Sequence, residues 1–118
     1  MDKSTHLART TDLGRISVST EAIAQIVGNV AAESYGIVGM AGRRFPRLPG
    51  RGRLTDGIEV KQRDSGIEID LHVVVEYGLN LAEVAATVRS RVGYELERLT
   101  GLRVAAVEVH IEAVKVSA

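Results

Sequence analysis

Two histidines and several carboxylates are the residues of this sequence whose types could do chemistry together. His72 and His110 both fall at polar positions of segments in which apolar and polar residues alternate, a pattern typical of strands. If these strands pair, the imidazoles lie beside Glu68, Asp70 and Glu108, and such a cluster could bind a metal ion. The alternative is a pair of solvated surface histidines. We favour that alternative and expect no metal and no cofactor, because no cysteine or helical histidine spacing completes a ligand set.

Acid–base catalysis is the other chemistry that the carboxylates suggest. Glu68, Asp70 and Glu76 fall on one polar face of the same predicted strand. An open sheet face leaves carboxylates in water, where nothing tunes them for proton transfer. We therefore expect no catalytic residues, no enzymatic activity and no small-molecule substrate.

A cluster of arginines is the strongest local departure from the balanced charge of the chain. Five of them fall within eleven residues that contain no acid: Arg43, Arg44, Arg47, Arg51 and Arg53. The whole chain has 15 basic and 15 acidic residues, so the remainder carries a net charge of −5. Glycine and proline predict a long exposed loop over residues 42–57. These arginines could bind an acidic protein surface, phosphates or lipid headgroups, or could simply solubilise the loop.

Composition limits the remaining function classes. The chain has 118 residues, 45% of them apolar and none of them cysteine, which indicates one domain with an aliphatic core and excludes disulfides. Aromatic residues make up 3%, which argues against base stacking on nucleic acid. No segment has the length and apolarity of a membrane span or a signal peptide. We therefore expect a cytoplasmic protein.

Periodicity predicts the elements that must position these residues. Ser19 has the type and place of a helix N-cap, and Asn80 repeats the arrangement before a second helix. Gly36 and Gly101 suit the left-handed position that follows a helix. The predicted strands cover residues 15–18, 37–41, 58–63, 67–77 and 104–116, with a bulge near Ala113, and the predicted helices cover 19–35 and 81–100.

The resulting order is β-α-β-β-β-α-β. Two amphipathic helices must cover the one apolar face of a mixed sheet, so the predicted fold is an α/β (α+β) two-layer sandwich. Residues 1–13 are polar and are expected to form a flexible arm, which leaves 14–118 as the domain.

Five short segments of glycine and apolar residues follow one another in a recognisable order and spacing: Gly14-Arg15-Ile16-Ser17-Val18, Gly36-Ile37-Val38-Gly39-Met40, Gly57-Ile58-Glu59-Val60, Val75-Glu76-Tyr77-Gly78 and Leu99-Thr100-Gly101-Leu102. Together they resemble the alkaline-shock, or envelope-stress-response, proteins of Gram-positive bacteria. The resemblance covers about residues 14–116. It departs from the family pattern at Ala82, where we expect proline, and at Glu108, where we expect asparagine.

The resemblance implies a non-enzymatic scaffold or interaction module of the envelope stress response. It implies self-association, recruitment to the inner face of the cell membrane by a membrane-anchored partner, or both. A different function stays open from the residues alone, namely a small RNA-binding module that uses the arginine-rich loop. The scarcity of aromatics and the acidic character of the predicted sheet face argue against it.

Overall fold

Six strands and two helices make up the part of the chain that the computed structural model describes, residues 6–11, 13–41 and 56–116. In chain order they are β1 (His6–Thr11), β2 (Gly14–Ser19), α1 (Thr20–Ala32), β3 (Ile37–Met40), β4 (Ile58–Arg63), β5 (Gly66–Glu76), α2 (Leu81–Thr100) and β6 (Val104–Lys115).

The long strand β5 is the centre of a four-stranded mixed sheet. Both β3 and β4 pair with it in antiparallel fashion, and β6 pairs with it in parallel. Strands β4 and β5 are joined at a two-residue turn, Asp64–Ser65. Every second residue of β5 is buried, at most 3% exposed: Ile67, Ile69, Leu71, Val73 and Val75.

Both helices cover the same apolar face of this sheet. The helical side chains in the core cluster include Ile23 and Val27 of α1 and Val88 and Leu96 of α2, all fully buried. Each apolar side chain of this size contributes about 1.5–3 kcal/mol when it is removed from water. The two-layer sandwich predicted from the sequence is therefore confirmed.

The helix caps account for where the helices begin and end. Ser19 Oγ accepts a hydrogen bond from Ala22 N at 3.0 Å, and Asn80 Oδ1 accepts one from Glu83 N at 3.0 Å. Gly101 adopts a left-handed conformation (φ 72°) after α2 and donates its N–H to Glu97 O. These three positions act as the sequence predicted.

Helix α1 ends at Ala32, three residues before the predicted end. The cause is Ser34, whose N–H reaches Ala31 O (3.0 Å) and whose hydroxyl donates to Val30 O (2.9 Å). These bonds tighten the last turn and satisfy carbonyls that a longer helix would use. The left-handed Gly36 (φ 89°) then lies in the turn before β3 rather than directly after the helix.

The strand β1 is absent from the predicted order. It pairs antiparallel with β2, from His6 opposite Ser19 to Thr11 opposite Gly14. The polar character of residues 1–13 had predicted a flexible arm there rather than a strand. Backbone pairing with β2, and not an apolar stripe, defines this strand.

Strands β3 and β4 lie end to end along one edge of β5. Met40 pairs with Val73 and Ile58 pairs with Leu71, so a single residue of β5, His72, separates the two ladders. Ala41 N donates to His72 O (2.8 Å), and His72 N donates to Gly57 O (2.8 Å). In a regular antiparallel ladder one residue would supply both groups. The two strands are thus one edge strand, interrupted at one ladder position.

Candidate functional site

The face of the sheet opposite the helices is polar, and we call it the open face. Its side chains alternate with the buried set of β5 or are their register neighbours on β4 and β6. Six carboxylates face three permanently basic groups, so negative charge predominates. The polar side chains of the open face are Glu59, Lys61, Arg63, Glu68, Asp70, His72, Glu76, Glu108, His110, Glu112 and Lys115.

Ion pairs tie part of the open face together. Arg63 Nε lies 3.3 Å from Glu68 Oε1, and Lys61 Nζ lies 3.9 Å from Asp70 Oδ2. The basic side chains are about half exposed, and exposed pairs of this kind contribute roughly 0–1 kcal/mol to stability. They orient side chains across β4 and β5 without adding much to the free energy of unfolding.

His72 and His110 lie side by side, as the sequence analysis expected if their strands paired. They are register partners on β5 and β6, and their rings are stacked with centroids 4.6 Å apart and planes 15° apart. His72 Nδ1 lies 2.6 Å from Glu112 Oε2, and His110 Nε2 lies 3.1 Å from Asp70 Oδ1. Each imidazole therefore has its own carboxylate and a fixed ring plane.

A row of three carboxylates crosses the open face directly beside the histidines. Glu59 of β4 and Glu108 of β6 are both register partners of Asp70 on β5. Like charges directly opposite on neighbouring strands repel. His110 Nε2 lies 3.9 Å from Glu108 Oε1 as well as 3.1 Å from Asp70 Oδ1, so one imidazole nitrogen lies between two carboxylates.

Glu112 is the residue of this cluster that sequence reasoning missed. The available signal was alternation, since Glu108, His110 and Glu112 follow one another at every second position of β6. The register shift after Val73 leaves Glu112 without its own partner on β5. This bulge, which the sequence predicted near Ala113, accompanies a Glu112 side chain directed to His72.

Among the described residues, no nucleophilic side chain contacts either histidine of this cluster. Both histidines contact carboxylates rather than a hydroxyl, and both are partly exposed. The nearest groove, of about 300 Å³, runs along the outer edge of β6 and is lined by Ala85, Arg89, Val107, Glu108, Val109 and His110. It is open to solvent, so it does not give the desolvation on which proton-transfer catalysis depends.

The five arginines chosen from the sequence lie outside the described residues: Arg43, Arg44, Arg47, Arg51 and Arg53. What the structure does describe is where their segment leaves and rejoins the sheet. The chain departs after Ala41 and returns at Asp56, and Ala41 and Gly57 both hydrogen-bond the backbone of His72. Both ends of the segment therefore lie beside the histidine pair.

Solved structures described as MamM CTD share this fold. One superposes with a TM-score of 0.51 at 15% sequence identity, covering 80% of this chain and 94% of its own. Another gives the same TM-score and covers 98% of its own chain. At this identity the likeness concerns the fold alone. Neither described helix of the present chain has the length and apolarity needed to cross a membrane.

Protein sequences show closer relatives. An uncharacterized protein of Bacillus subtilis strain 168, YloU, is 33% identical over 112 residues, which cover 91% of this chain and 93% of YloU. An uncharacterized protein of Streptococcus pyogenes, Spy1614, is 35% identical over 108 residues, covering 87% and 89%. A stress response regulator gls24 homolog of S. pyogenes is 26% identical and is covered over 59% of its length.

The family comparison agrees with these relatives and with the resemblance found in the sequence. The model of the alkaline-shock protein family, described as having a cell envelope-related function, matches residues 8–116. That range includes both helices, all strands of the mixed sheet and the whole open face. The chain therefore belongs to the alkaline-shock protein family.

Proposed function

We propose that this protein is a non-enzymatic scaffold of the cell-envelope stress response, which self-associates and is held at the cytoplasmic face of the membrane by a membrane-anchored partner. The observation that carries the proposal is the open face. It presents, across β4, β5 and β6, a surface of predominantly negative charge that no described element covers. The family description and the gls24 homolog support the envelope and stress setting.

The arginine-rich segment supplies the complementary charge. It carries five positive charges, and its ends lie at the middle of the sheet edge, beside His72. Charge pairing between this segment in one copy and the open face of another joins unlike surfaces, which allows assemblies larger than a dimer. Bidentate guanidinium–carboxylate contacts favour arginine over lysine in such an interface.

Sedimentation velocity of the full chain at rising salt tests self-association. Exposed charges are screened over about 10 Å at about 0.1 M salt and about 3 Å at about 1 M. We therefore expect assemblies at the lower concentration that dissociate at the higher one. A chain that stays monomeric at every salt and protein concentration would overturn the self-association part of the proposal.

Substitution then locates the contact. Changing all five segment arginines to Ser should abolish the assemblies, whereas changing the exposed Arg89 and Arg103 to Ser should leave them intact. Unaltered assembly in the five-arginine variant would show that the segment is not the contact.

Affinity capture from nuclease-treated cells tests the membrane partner. An integral membrane protein recovered in near-equal amount is the expected result. Recovery of RNA-linked proteins that nuclease removes would contradict the scaffold and favour nucleic-acid binding instead.

A further inference from the structure

We propose that Asp70, Glu108 and His110 form a binding site for a divalent transition-metal ion of the Zn²⁺ type. From the sequence alone we favour solvated histidines at this place, because no cysteine or helical histidine spacing completes a ligand set. The pairing of β5 with β6 supplies the missing information. This site is independent of the proposed scaffold function, since it uses only contacts within one chain.

The ligand atoms are already close to the separation that a metal ion requires. One atom from each of the three residues lies within 4.8 Å of the other two, and His110 Nε2 is 3.1 Å from Asp70 Oδ1. Ligands at about 2.0–2.2 Å from a tetrahedral ion are themselves about 3.4 Å apart. Rotation of the partly exposed side chains closes the remaining difference without moving the strands.

The charge of the surroundings favours a cation. Asp70 has a carboxylate as register partner on both sides, Glu59 and Glu108. Its side chain is only 20% exposed, so water screens this repulsion less than at a free surface. A divalent ion between Asp70 and Glu108 replaces repulsion by attraction, which the Lys61 ammonium group, 3.9 Å from Asp70, does only in part.

His72 acts as a positioning residue for the imidazole ligand. Its ring is stacked on that of His110 at 4.6 Å, and its own Nδ1 is bonded to Glu112 at 2.6 Å. The stack holds His110 with Nε2 directed at the two carboxylates. Less side-chain freedom is then lost when the ion binds.

The ligand types decide which ions fit. One imidazole nitrogen and two carboxylate oxygens suit Zn²⁺, Ni²⁺ or Co²⁺, whereas Mg²⁺ and Ca²⁺ prefer oxygen ligands alone. With three protein ligands the ion keeps an open position toward solvent, because the open face is not covered by any described element.

Equilibrium dialysis of the untagged full chain against Zn²⁺ is the test, with bound metal measured by elemental analysis. We expect one ion per chain, and at least tenfold weaker binding in His110→Ala and in Asp70→Asn. Glu68→Gln serves as the matched control, because it removes a carboxylate of the open face outside the ligand set and should bind as the unchanged protein. Circular dichroism confirms that each variant is folded.

Two results would overturn the site. One is equal Zn²⁺ binding by the protein and by His110→Ala. The other is displacement of Zn²⁺ by an equal concentration of Mg²⁺, which would mean diffuse attraction to an acidic surface.

The substitution Lys61→Met tests the site by an expected gain, rather than a loss, of Zn²⁺ affinity. Removing the ammonium group beside Asp70 should tighten Zn²⁺ binding severalfold, because the lysine competes for the same carboxylate. Weaker binding in this variant would contradict the assignment of Asp70 as a ligand.

In the unchanged protein, Zn²⁺ should shift the imidazole ¹⁵N resonance of His110 Nε2 far more than the resonance of either nitrogen of His72.

Discussion

Gly57 lies directly before β4, where the edge strand continues. Its backbone conformation and its close neighbours leave no room for a side chain. Its φ is +80°, and a Cβ placed on it would lie 2.4 Å from Ala41 O and 2.9 Å from His72 O. Both neighbours are backbone atoms of the sheet and cannot move aside. Gly57→Ala should therefore lower the free energy of unfolding by about 2–4 kcal/mol, measured by urea denaturation.

Gly39→Ala is the matched control for that substitution. Gly39 lies in the same edge strand, has no left-handed conformation, and has nothing within 4 Å of a Cβ. Its substitution should change the free energy of unfolding by less than about 0.5 kcal/mol. Equal losses in the two variants would show that the close approach at Gly57 is not what matters.

The histidine pair shows what can be predicted for individual residues. Alternation placed His72 and His110 on polar faces of strands, and that placement is confirmed. Their stacking and the row of carboxylates depend on the register between β5 and β6. Register is set by packing and by bulges across the sheet, so no local pattern in one strand could supply it.

Two glycines, one inside α2 and one directly after it, differ in backbone conformation. Gly93 lies inside the helix with nothing within 4 Å of a Cβ, whereas Gly101 ends the helix with φ 72°. Gly93→Ala should raise the free energy of unfolding by about 0.5–1 kcal/mol, because alanine favours the helix. Gly101→Ala should lower it by about 1–2 kcal/mol. Thermal unfolding of both variants checks the pair, and a change of the same sign in both would contradict the assigned end of α2.

Among the elements, those with strong hydrophobic periodicity could be predicted from the sequence. The apolar stripe of α2 and the alternation of apolar and polar residues in β5 predicted bounds close to those observed. The end of α1 depends on the side chain of Ser34, which bonds the preceding turn. The strand β1 depends on backbone pairing with β2. Neither the Ser34 hydrogen bond nor the backbone pairing of β1 leaves a hydrophobic periodicity in the sequence. The end of α1 and the strand β1 could therefore not be predicted from it.

For the whole molecule, the interrupted edge strand gives the sharpest prediction. Deleting residues 42–57 joins Ala41, at the place opposite His72, directly to Ile58 opposite Leu71, so the register of both ladders is preserved. The shortened chain should fold with a free energy of unfolding within about 1 kcal/mol of the original, because Ala41 O can then accept the His72 N–H that Gly57 O accepts in the full chain. Urea denaturation measures it.

Deleting residues 42–58 is the control, because it removes one residue more. A slip of one residue turns every side chain of β4 to the opposite face and would place Glu59 opposite Leu71. This variant should be strongly destabilised. If both deletions behave alike, β3 and β4 do not form one continuous edge.

The two-layer fold was predictable as a whole because its helices and central strand each carry an unambiguous apolar face. The arrangement of β3 and β4 along one edge was not. It requires knowing that two segments separated by a long insertion meet the same residue of β5.

The interruption opposite His72 also implies that the sheet does not need a covalent link between β3 and β4. Strands β3 and β4 each make their own ladder with β5, and each contributes side chains that pack against the core. A nick between Ala41 and Asp56 would leave one fragment that holds β3 and another that holds β4, β5 and β6 of the same sheet. Such fragments, expressed separately, should reassemble into the native fold, which makes this family member a candidate split protein.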